Sequence, residues 1–422
     1  MKFGTERPAS WRRAIGLGIV TGAADDDCSA IGTYASAGAQ FGLAFLWTAP
    51  VTFPMMFAVV YLSSKLGQVT GKGLFGVIKE RYPRWILWPT LMGVLVGNTI
   101  EAGADMAGMA ASLNIFLPVP AFLIVIAVAL TVLLFQIFGS YTLIRNIFRW
   151  LALVLFAYVG AAVMARPDLR QVIVGTFVPH VQLSKEFLSL LVAVIGTTLS
   201  AYLYTWQSNI EVEEKIADGK QKLSERRGAS EGALARSRRD IVLGMAFSNV
   251  IMYFIILSTG ATLHKAGQTN IENAAQAAQA LRPLAGGAAE FLFAAGIIAV
   301  GFLAIPVMTT GAAYDLAQAV GWRSSLNARP KEAIGFYALI VGFTVMAVLL
   351  NNLGFNPMTA LVYAGIVQGF STPPLLVFIV LMTNNSQLMG DKVNGFWLNA
   401  LSWVTAVAVF AASIGLAISW LL

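Results

Sequence analysis

Thr21-Gly22-Ala23-Ala24-Asp25-Asp26-Asp27-Cys28-Ser29-Ala30-Ile31-Gly32 sets three consecutive carboxylates inside what is otherwise one apolar run. Counted from Ala14 at about 1.5 Å of helical rise per residue, Asp25 falls about 16 Å along, near the middle of a hydrocarbon core of about 30 Å. An Asp at that depth costs roughly 2.5–3.5 kcal/mol on insertion scales. Three are tolerated only where the chain leaves its helix and the carboxylates face protein, water or a cation. Gly22 and Gly32 permit such a break, because glycine accepts non-helical backbone at little cost. Ionisable groups at membrane depth mark function.

The rest of the chain makes the membrane reading general. Of 422 residues, 57% are hydrophobic and 12% charged, and the mean hydropathy is +0.72, which excludes an ordinary soluble protein and predicts an all-α polytopic membrane protein. The first apolar run leads straight into the acidic motif, so no cleaved signal peptide is expected. The single Cys28 excludes an internal disulfide and a zinc cluster built on thiolates. Eleven spans are predicted, at 14–41 (broken), 47–64, 85–112, 121–139, 150–165, 187–210 (broken), 241–262, 288–321, 333–351, 357–383 and 395–422. With the N-terminus in the cytoplasm, 23 of the 28 Lys and Arg fall on the cytoplasmic side, leaving Arg166, Arg170, Lys185, Lys265 and Arg282 outside. The net charge of +7 is therefore topogenic, with anionic lipid head groups as its contact and no nucleic acid as partner. The expected location is a bacterial inner membrane, with the N-terminus cytoplasmic and the C-terminus extracytoplasmic.

The segment 65–84, with Gly67, Gly71, Gly73 and five basic residues, reads as a cytoplasmic loop. Its Gly71-Lys72 lacks the Gly spacing and the following Ser or Thr of a phosphate loop. In the third span Glu101 and Asp105 are four apart and share a helical face. Two readings stay open for them: an ion or proton path, or a structural role, as buried carboxyls hydrogen-bonded to neighbouring helices or with Glu101 snorkelling towards a headgroup. The stretch 187–210 contains Gly196-Thr197-Thr198-Leu199-Ser200-Ala201-Tyr202-Leu203-Tyr204-Thr205-Trp206-Gln207, whose hydroxyls can satisfy freed backbone groups. By the charge rule this span enters from outside, whereas the acidic one enters from inside. Two interrupted helices of opposite direction, five spans apart, point to inverted repeats with a site between the breaks. The repeats are expected over 1–165 and 187–384 of a single transmembrane domain, with 395–422 as an extra span. The basic stretch from Asp218 to Asp240 reads as a connector, Pro306 and Pro373-Pro374 as kinks, and Asn249, Tyr314, Asp315, Gln368, Asn384 and Asn385, each taken alone, as interhelical hydrogen bonders; the span 121–139 is nearly featureless apart from Gln136, and its neutral face is expected to meet lipid. His180 and His264 fall in external loops, so any proton relay at mid-membrane must use carboxylates.

The run from Asp27 to Gln40-Phe41-Gly42 and on to Leu46-Trp47 resembles the first-span signature of the NRAMP divalent-metal transporters, where an Asp-Pro-Gly-Asn break precedes Gln-Phe-Gly at the same distance. Gly196 to Tyr202 resembles that family's sixth-span Gly-Ala-Thr-Val-Met-Pro-His stretch. Asp105-Met106-Ala107, Gln368 and Leu388-Met389-Gly390 extend the resemblance over nearly the whole chain. It implies a leucine-transporter-type fold of two inverted five-helix repeats plus an eleventh helix. It places Asp27 at the metal-binding Asp, Ala30 at the Asn, Thr197 at the residue giving a backbone carbonyl, Ser200 at the metal-binding Met and Tyr202 at the His. The family's Pro, Asn, Met and His are thus replaced by Cys28, Ala30, Ser200 and Tyr202. Loss of the thioether moves the preference from soft transition metals towards hard cations. Mg²⁺ usually keeps several waters, and small residues leave room for them. The chain resembles the divergent NRAMP-related branch associated with magnesium transport.

These readings predict a secondary transporter of Mg²⁺, with Mn²⁺ as competitor and no resident cofactor; a monomer suffices. Asp27, Thr197, Ser200, Asp26 and Ala30 form the expected metal site, and Asp25, Tyr202, Gln368, Glu101 and Asp105 the cavity or ion path. Asp25 and Asp26 have a second reading as caps on a half-helix N-terminus. Cys28, beside three carboxylates that disfavour a thiolate, is expected to be a neutral packing residue. The alternatives are a proton-coupled Mn²⁺/Fe²⁺ symporter, and an amine carrier using Asp27 as counter-ion with Tyr202, Tyr204 and Trp206 as an aromatic wall. A third, an intramembrane Mg²⁺ enzyme, needs a second acidic cluster, for which span three offers only Glu101 and Asp105.

Overall fold

The computed structural model of the protein describes residues 17–138 and 152–421. The first apolar run is two helices, α1 (Leu17–Asp25) and α2 (Cys28–Phe41), interrupted at Asp26-Asp27. Asp27 takes extended backbone (ψ −177°) and its carboxylate accepts the Ala30 N–H at 2.6 Å, a side-chain cap that starts α2. Then follow α3 (Thr48–Thr70), α4 (Leu74–Arg81), α5 (Arg84–Leu113), α6 (Ala121–Phe138), α7 (Phe156–Met164) and α8 (Leu169–Phe177). The second interrupted span is α9 (Lys185–Thr198) and α10 (Ala201–Ala217), separated at Leu199-Ser200. The remaining long helices are α11 (Glu231–Thr259, continued by a π-helical turn over Gly260–His264), α12 (Ala289–Val320), α13 (Ile334–Leu350), α14 (Pro357–Thr383) and α15 (Phe396–Leu421). Among the described residues there is no strand.

Eight helical stretches among the described residues are long and apolar enough to cross a membrane, and the chain is an integral membrane protein. The other three expected spans fall short for identifiable reasons. The first is cut by its break, and α5 carries Asn98, Glu101 and Asp105 on its buried side. The span expected at 150–165 lies partly outside the described residues, and its described part is the 3₁₀ turn Ala152–Leu155 and α7.

The two interrupted spans lie at the centre. α1 packs on α11, α2 on α11 and α14, α9 on α14, and α5 on both α12 and α14. Glycines let backbone meet backbone there. A Cβ at Gly22 would lie 2.1 Å from the Gly244 carbonyl oxygen, and one at Gly196 would lie 2.0 Å from that of Gly365. Helices α6, α13 and α15 form the periphery, with Leu130, Leu134, Val345, Leu349, Val404 and Val407 turned outward. Such apolar exposure suits hydrocarbon.

Four expectations are corrected. The 65–84 segment is mostly helical: α3 runs on to Thr70, where Gly71 in the left-handed region ends it, and α4 follows. α11 starts ten residues before its expected span, because Ser230 caps it on the Ala233 N–H and Leu234 is buried. α8 was not expected, being too short to span. Its Gly175 packs on the Leu43 carbonyl, where a Cβ would approach to 2.5 Å. Finally, Asp25 is the last residue of α1 and does not cap a half-helix N-terminus; Asp27 does. Pro306 and Pro373-Pro374 sit inside helices that continue through them.

Candidate functional site

The Asp27 carboxylate is the meeting point of the two breaks. Its Oδ1 accepts from the Ala30 N–H and from Ser29 Oγ at 2.8 Å, and its Oδ2 accepts from the Tyr202 hydroxyl at 3.1 Å. The same Ser29 hydroxyl lies 3.0 Å from Glu101 Oε1 and 3.1 Å from Thr197 Oγ1, while the Ser29 N–H donates to Asp105 Oδ1 at 3.0 Å. Glu101 Oε2 accepts from Gln368 Nε2 at 2.6 Å, and Glu101 Oε1 lies 3.4 Å from Ser200 Oγ. Ser200 Oγ is within 2.9 Å of the Thr197 carbonyl oxygen and 3.0 Å of that of Gly196. Tyr34 and Thr198 join α2 to α9 through their hydroxyls at 2.7 Å.

One hydroxyl proton cannot serve two acceptors. Ser29 stands between the Asp27 and Glu101 carboxyls, and Tyr202 between Asp27 and the Ala24 carbonyl oxygen at 2.8 Å. Asp25, Asp26, Asp27, Glu101 and Asp105 are all 0% exposed. Among the described residues the ion pairs lie elsewhere, at Lys72–Glu80, Arg323–Glu332 and Lys392 with Glu231 and Asp391. Five buried carboxyls thus share one region with no Lys or Arg paired to them. Buried charge without a partner is strongly disfavoured, so the arrangement calls for a cation or for protons.

The expected residues divide into two groups. Asp27, Thr197, Ser200, Tyr202, Glu101, Asp105 and Gln368 form one hydrogen-bonded network across α2, α5, α9, α10 and α14. Asp25 and Asp26 form another: both accept from Ser248 Oγ on α11, at 2.6 and 3.1 Å, and each keeps one oxygen without a partner. Asp26 is therefore grouped with Asp25, apart from the Asp27 hydrogen bonds. Ala30 contributes its N–H, which orients Asp27. Cys28 Sγ turns away and donates to the Ile297 carbonyl oxygen on α12 at 3.4 Å, as a neutral thiol. Of the two readings kept for Glu101 and Asp105, the structure shows the hydrogen-bonded buried carboxyls, placed within the Asp27 network.

Ser29 and Ser248 were missed. A serine two residues after a capping Asp is a signal that could have found Ser29; nothing in the sequence singles out Ser248 from Asn249 beside it. Asn249 instead accepts from Thr52 at 3.2 Å and joins α11 to α3. Gln136 donates to Thr309 and Thr310 at 2.8 and 2.9 Å and joins α6 to α12. His264 Nδ1 lies 2.9 Å from the Ala39 carbonyl oxygen at the end of the π-helical turn, and His180 is exposed, so neither imidazole reaches the breaks. Among the described residues, no three His, Cys, Asp or Glu converge closely enough to hold one metal ion. Any ion bound here must also use neutral oxygens or water.

Comparison with known proteins agrees with this architecture. The chain is 26% identical over 420 residues, covering 97% of itself and 91% of the relative, to a Deinococcus radiodurans protein named divalent metal cation transporter MntH. Its fold matches a crystal structure of an Eremococcus coleocola manganese transporter with a TM-score of 0.72 at 19% identity, over 98% of this chain and 87% of that one. The inward facing conformation of Mhp1 matches with a TM-score of 0.54 at 14% identity, over 95% and 90% of the two chains. The fold is the leucine-transporter type, and the relatives are transporters, not enzymes. A family model described as natural resistance-associated macrophage protein-like matches residues 18–419. The chain belongs to the Nramp family.

Proposed function

We propose that this protein carries divalent metal cations across the membrane by alternating access, Mg²⁺ ahead of Mn²⁺, from a partly hydrated site between the two helix breaks. The observation that carries the reading is Asp27: a carboxylate held at one break by the Ala30 N–H and the Ser29 hydroxyl, and touched by the Tyr202 hydroxyl from the other. The relatives' printed names, a divalent metal cation transporter and a manganese transporter, supply the substrate class. The ion is held by the Asp27 carboxylate, the Thr197 carbonyl and the Ser200 hydroxyl, with Glu101 and Asp105 adding charge through Ser29 and Gln368 closing the far side. With neither thioether nor imidazole in this set, hard cations are favoured, and Mg²⁺ completes its octahedron with water. Asp25 and Asp26 line the approach. The N-terminus is cytoplasmic, as the distribution of Lys and Arg requires.

An amine carrier needs an aromatic wall around Asp27. Of the three candidate rings only Tyr202 touches it, while Tyr204 donates its hydroxyl to the Leu199 carbonyl. Voltage alone is enough to drive entry, since two charges crossing 100 mV gain roughly 4.6 kcal/mol; acidification of the lumen during uptake is the mark of proton symport instead. The deciding experiment is uptake of Mg²⁺, Mn²⁺ and Ca²⁺ into proteoliposomes by the wild type and Asp27→Ala. The variant is expected to abolish uptake of every ion that the wild type carries. Wild-type rates in Asp27→Ala would end the proposal.

A further inference from the structure

A second buried carboxyl lies off the network described above. Asp315, on the inner part of α12, is 0% exposed, and neither of its oxygens makes a hydrogen bond. It faces Thr205 and Asn209 of α10, which are 0% and 2% exposed. Among the described residues no Lys or Arg is ion-paired with it, and Thr205 and Asn209 are the polar side chains that reach towards its carboxyl. Leaving a buried polar group unmatched is costly in a protein interior and more so for a carboxyl. Its presence at a helix interface therefore asks for a ligand.

Its place in the fold says which. α10 begins at the break, and Tyr202, one residue into it, touches Asp27. Thr205 is one turn further and donates to the Tyr202 carbonyl oxygen at 3.2 Å; Asn209 is one turn beyond that and donates to the Thr205 carbonyl oxygen at 2.8 Å. At about 1.5 Å per residue, Asp315 faces levels roughly 5 to 10 Å along α10 from Tyr202. Below it Gln318 Nε2 donates to Asn209 Oδ1 at 2.5 Å, and the exposed Lys79 Nζ reaches the Gln318 carbonyl oxygen at 3.4 Å. A line of oxygens thus leads from Asp27 down α10 to the face where Lys79 lies, with one carboxyl midway along it.

We propose that Asp315, with the Thr205 hydroxyl and the Asn209 side chain, is a way-station that receives the divalent cation after it leaves Asp27 and before it reaches the cytoplasm. This inference rests on the transport reading and extends it to the exit path. The alternative is a protonated carboxyl that only fills space. Asparagine separates the two, since it copies the shape of the protonated acid and cannot supply its charge.

The test uses the full chain in proteoliposomes, with Mn²⁺ as the probe, together with equilibrium Mn²⁺ binding in detergent. Asp315→Asn is expected to lower the maximal uptake rate about tenfold, the loss of one charge-assisted contact, while equilibrium binding at the helix breaks stays within about twofold of the wild type. Asp315→Glu, which keeps a carboxylate, is expected to recover part of the rate. Wild-type uptake by Asp315→Asn overturns the inference, and so does a loss of equilibrium binding, which would place Asp315 with the central network. If Asp315→Asn does not fold, Thr205→Val decides: a several-fold fall in rate supports the way-station and an unchanged rate overturns it. A wild type that carries no divalent ion defeats the transport reading itself. Wild-type uptake that Asp27→Ala abolishes and Asp315→Asn leaves intact defeats only the way-station.

Discussion

Replacing Glu101 by Gln is expected to stabilise the metal-free protein and weaken metal binding, two effects of opposite sign from one charge. The amide fits the site as drawn: its carbonyl can accept from Gln368 Nε2, and its NH₂ can donate to the oxygens of Ser29 and Ser200. Asp27 and Glu101 both contact Ser29 Oγ, so their nearest oxygens are no further apart than those two bonds end to end, about 6 Å. At an effective dielectric near 20, two ionised carboxylates at that distance repel by roughly 3 kcal/mol, and a dication at the same range is attracted to each by roughly 6. Losing even a quarter of that attraction raises the dissociation constant about tenfold. Thermal unfolding in detergent without divalent ions should show the variant melting above the wild type. Calorimetric titration with Mn²⁺ or Mg²⁺ should show at least that tenfold weakening. A variant that binds as tightly as the wild type and melts below it would mean that Glu101 is a neutral structural group, and the electrostatic account of the site would be wrong.

Two other substitutions test the surroundings of the break. Gly196→Ala puts a methyl 2.0 Å from the Gly365 carbonyl oxygen and 2.4 Å from the Gly369 nitrogen, both backbone; α9 must shift, at a cost of about 1–3 kcal/mol or more, and the adjoining Thr197 carbonyl shifts with it. A lowered melting temperature together with weakened metal binding is expected, and a wild-type melt would show that the helices are not packed this closely. Ser200→Met returns a thioether to the break and should move selectivity from Mg²⁺ towards softer ions such as Mn²⁺ and Cd²⁺; an unchanged ratio of uptake rates in competition would exclude Ser200 from the ion's coordination.

Legibility in the sequence followed chemistry that is local along the chain. The breaks at Asp26-Asp27 and Leu199-Ser200 were readable because three carboxylates, or a run of hydroxyl residues, cannot continue an apolar helix without other partners. Long apolar helices such as α14 were bounded to the residue, since Pro357 after Asn356 starts that helix as sharply as any cap. What was not legible depends on which helix lies opposite. Ser248 became a partner of Asp25 and Asp26 only because α1 packs against α11, at an approach set by Gly22 and Gly244. Asp315 reads in sequence as one polar residue among several; its lack of partners is a property of the α10–α12 interface. The helical extension of α11 was hidden because charged residues at its start, such as Arg236 and Arg239, mark an end of hydropathy without marking an end of helix.

The hydroxyls at the breaks show how a carboxylate cluster and a cation path can share one small volume. The C-terminal ends of α1 and α9 present carbonyl oxygens of Ala24, Gly196 and Thr197, and the dipoles of those half-helices favour positive charge there. Tyr202 donates to the first of these, and Ser200 lies against the other two. Both hydroxyls belong to the start of α10, and both also reach the carboxyls, Tyr202 at Asp27 and Ser200 at Glu101. On the transport reading, an arriving dication takes the carbonyl and carboxylate oxygens these hydroxyls engage, and the protons turn away from them. Turning releases the Tyr202 contact of α10 with Ala24 and the Ser200 contact with Thr197, leaving the Thr21 hydroxyl on Gln207 as a remaining link between α1 and α10. Ion binding and movement of α10 are therefore linked by the same few hydrogen bonds, which is the coupling that alternating access requires.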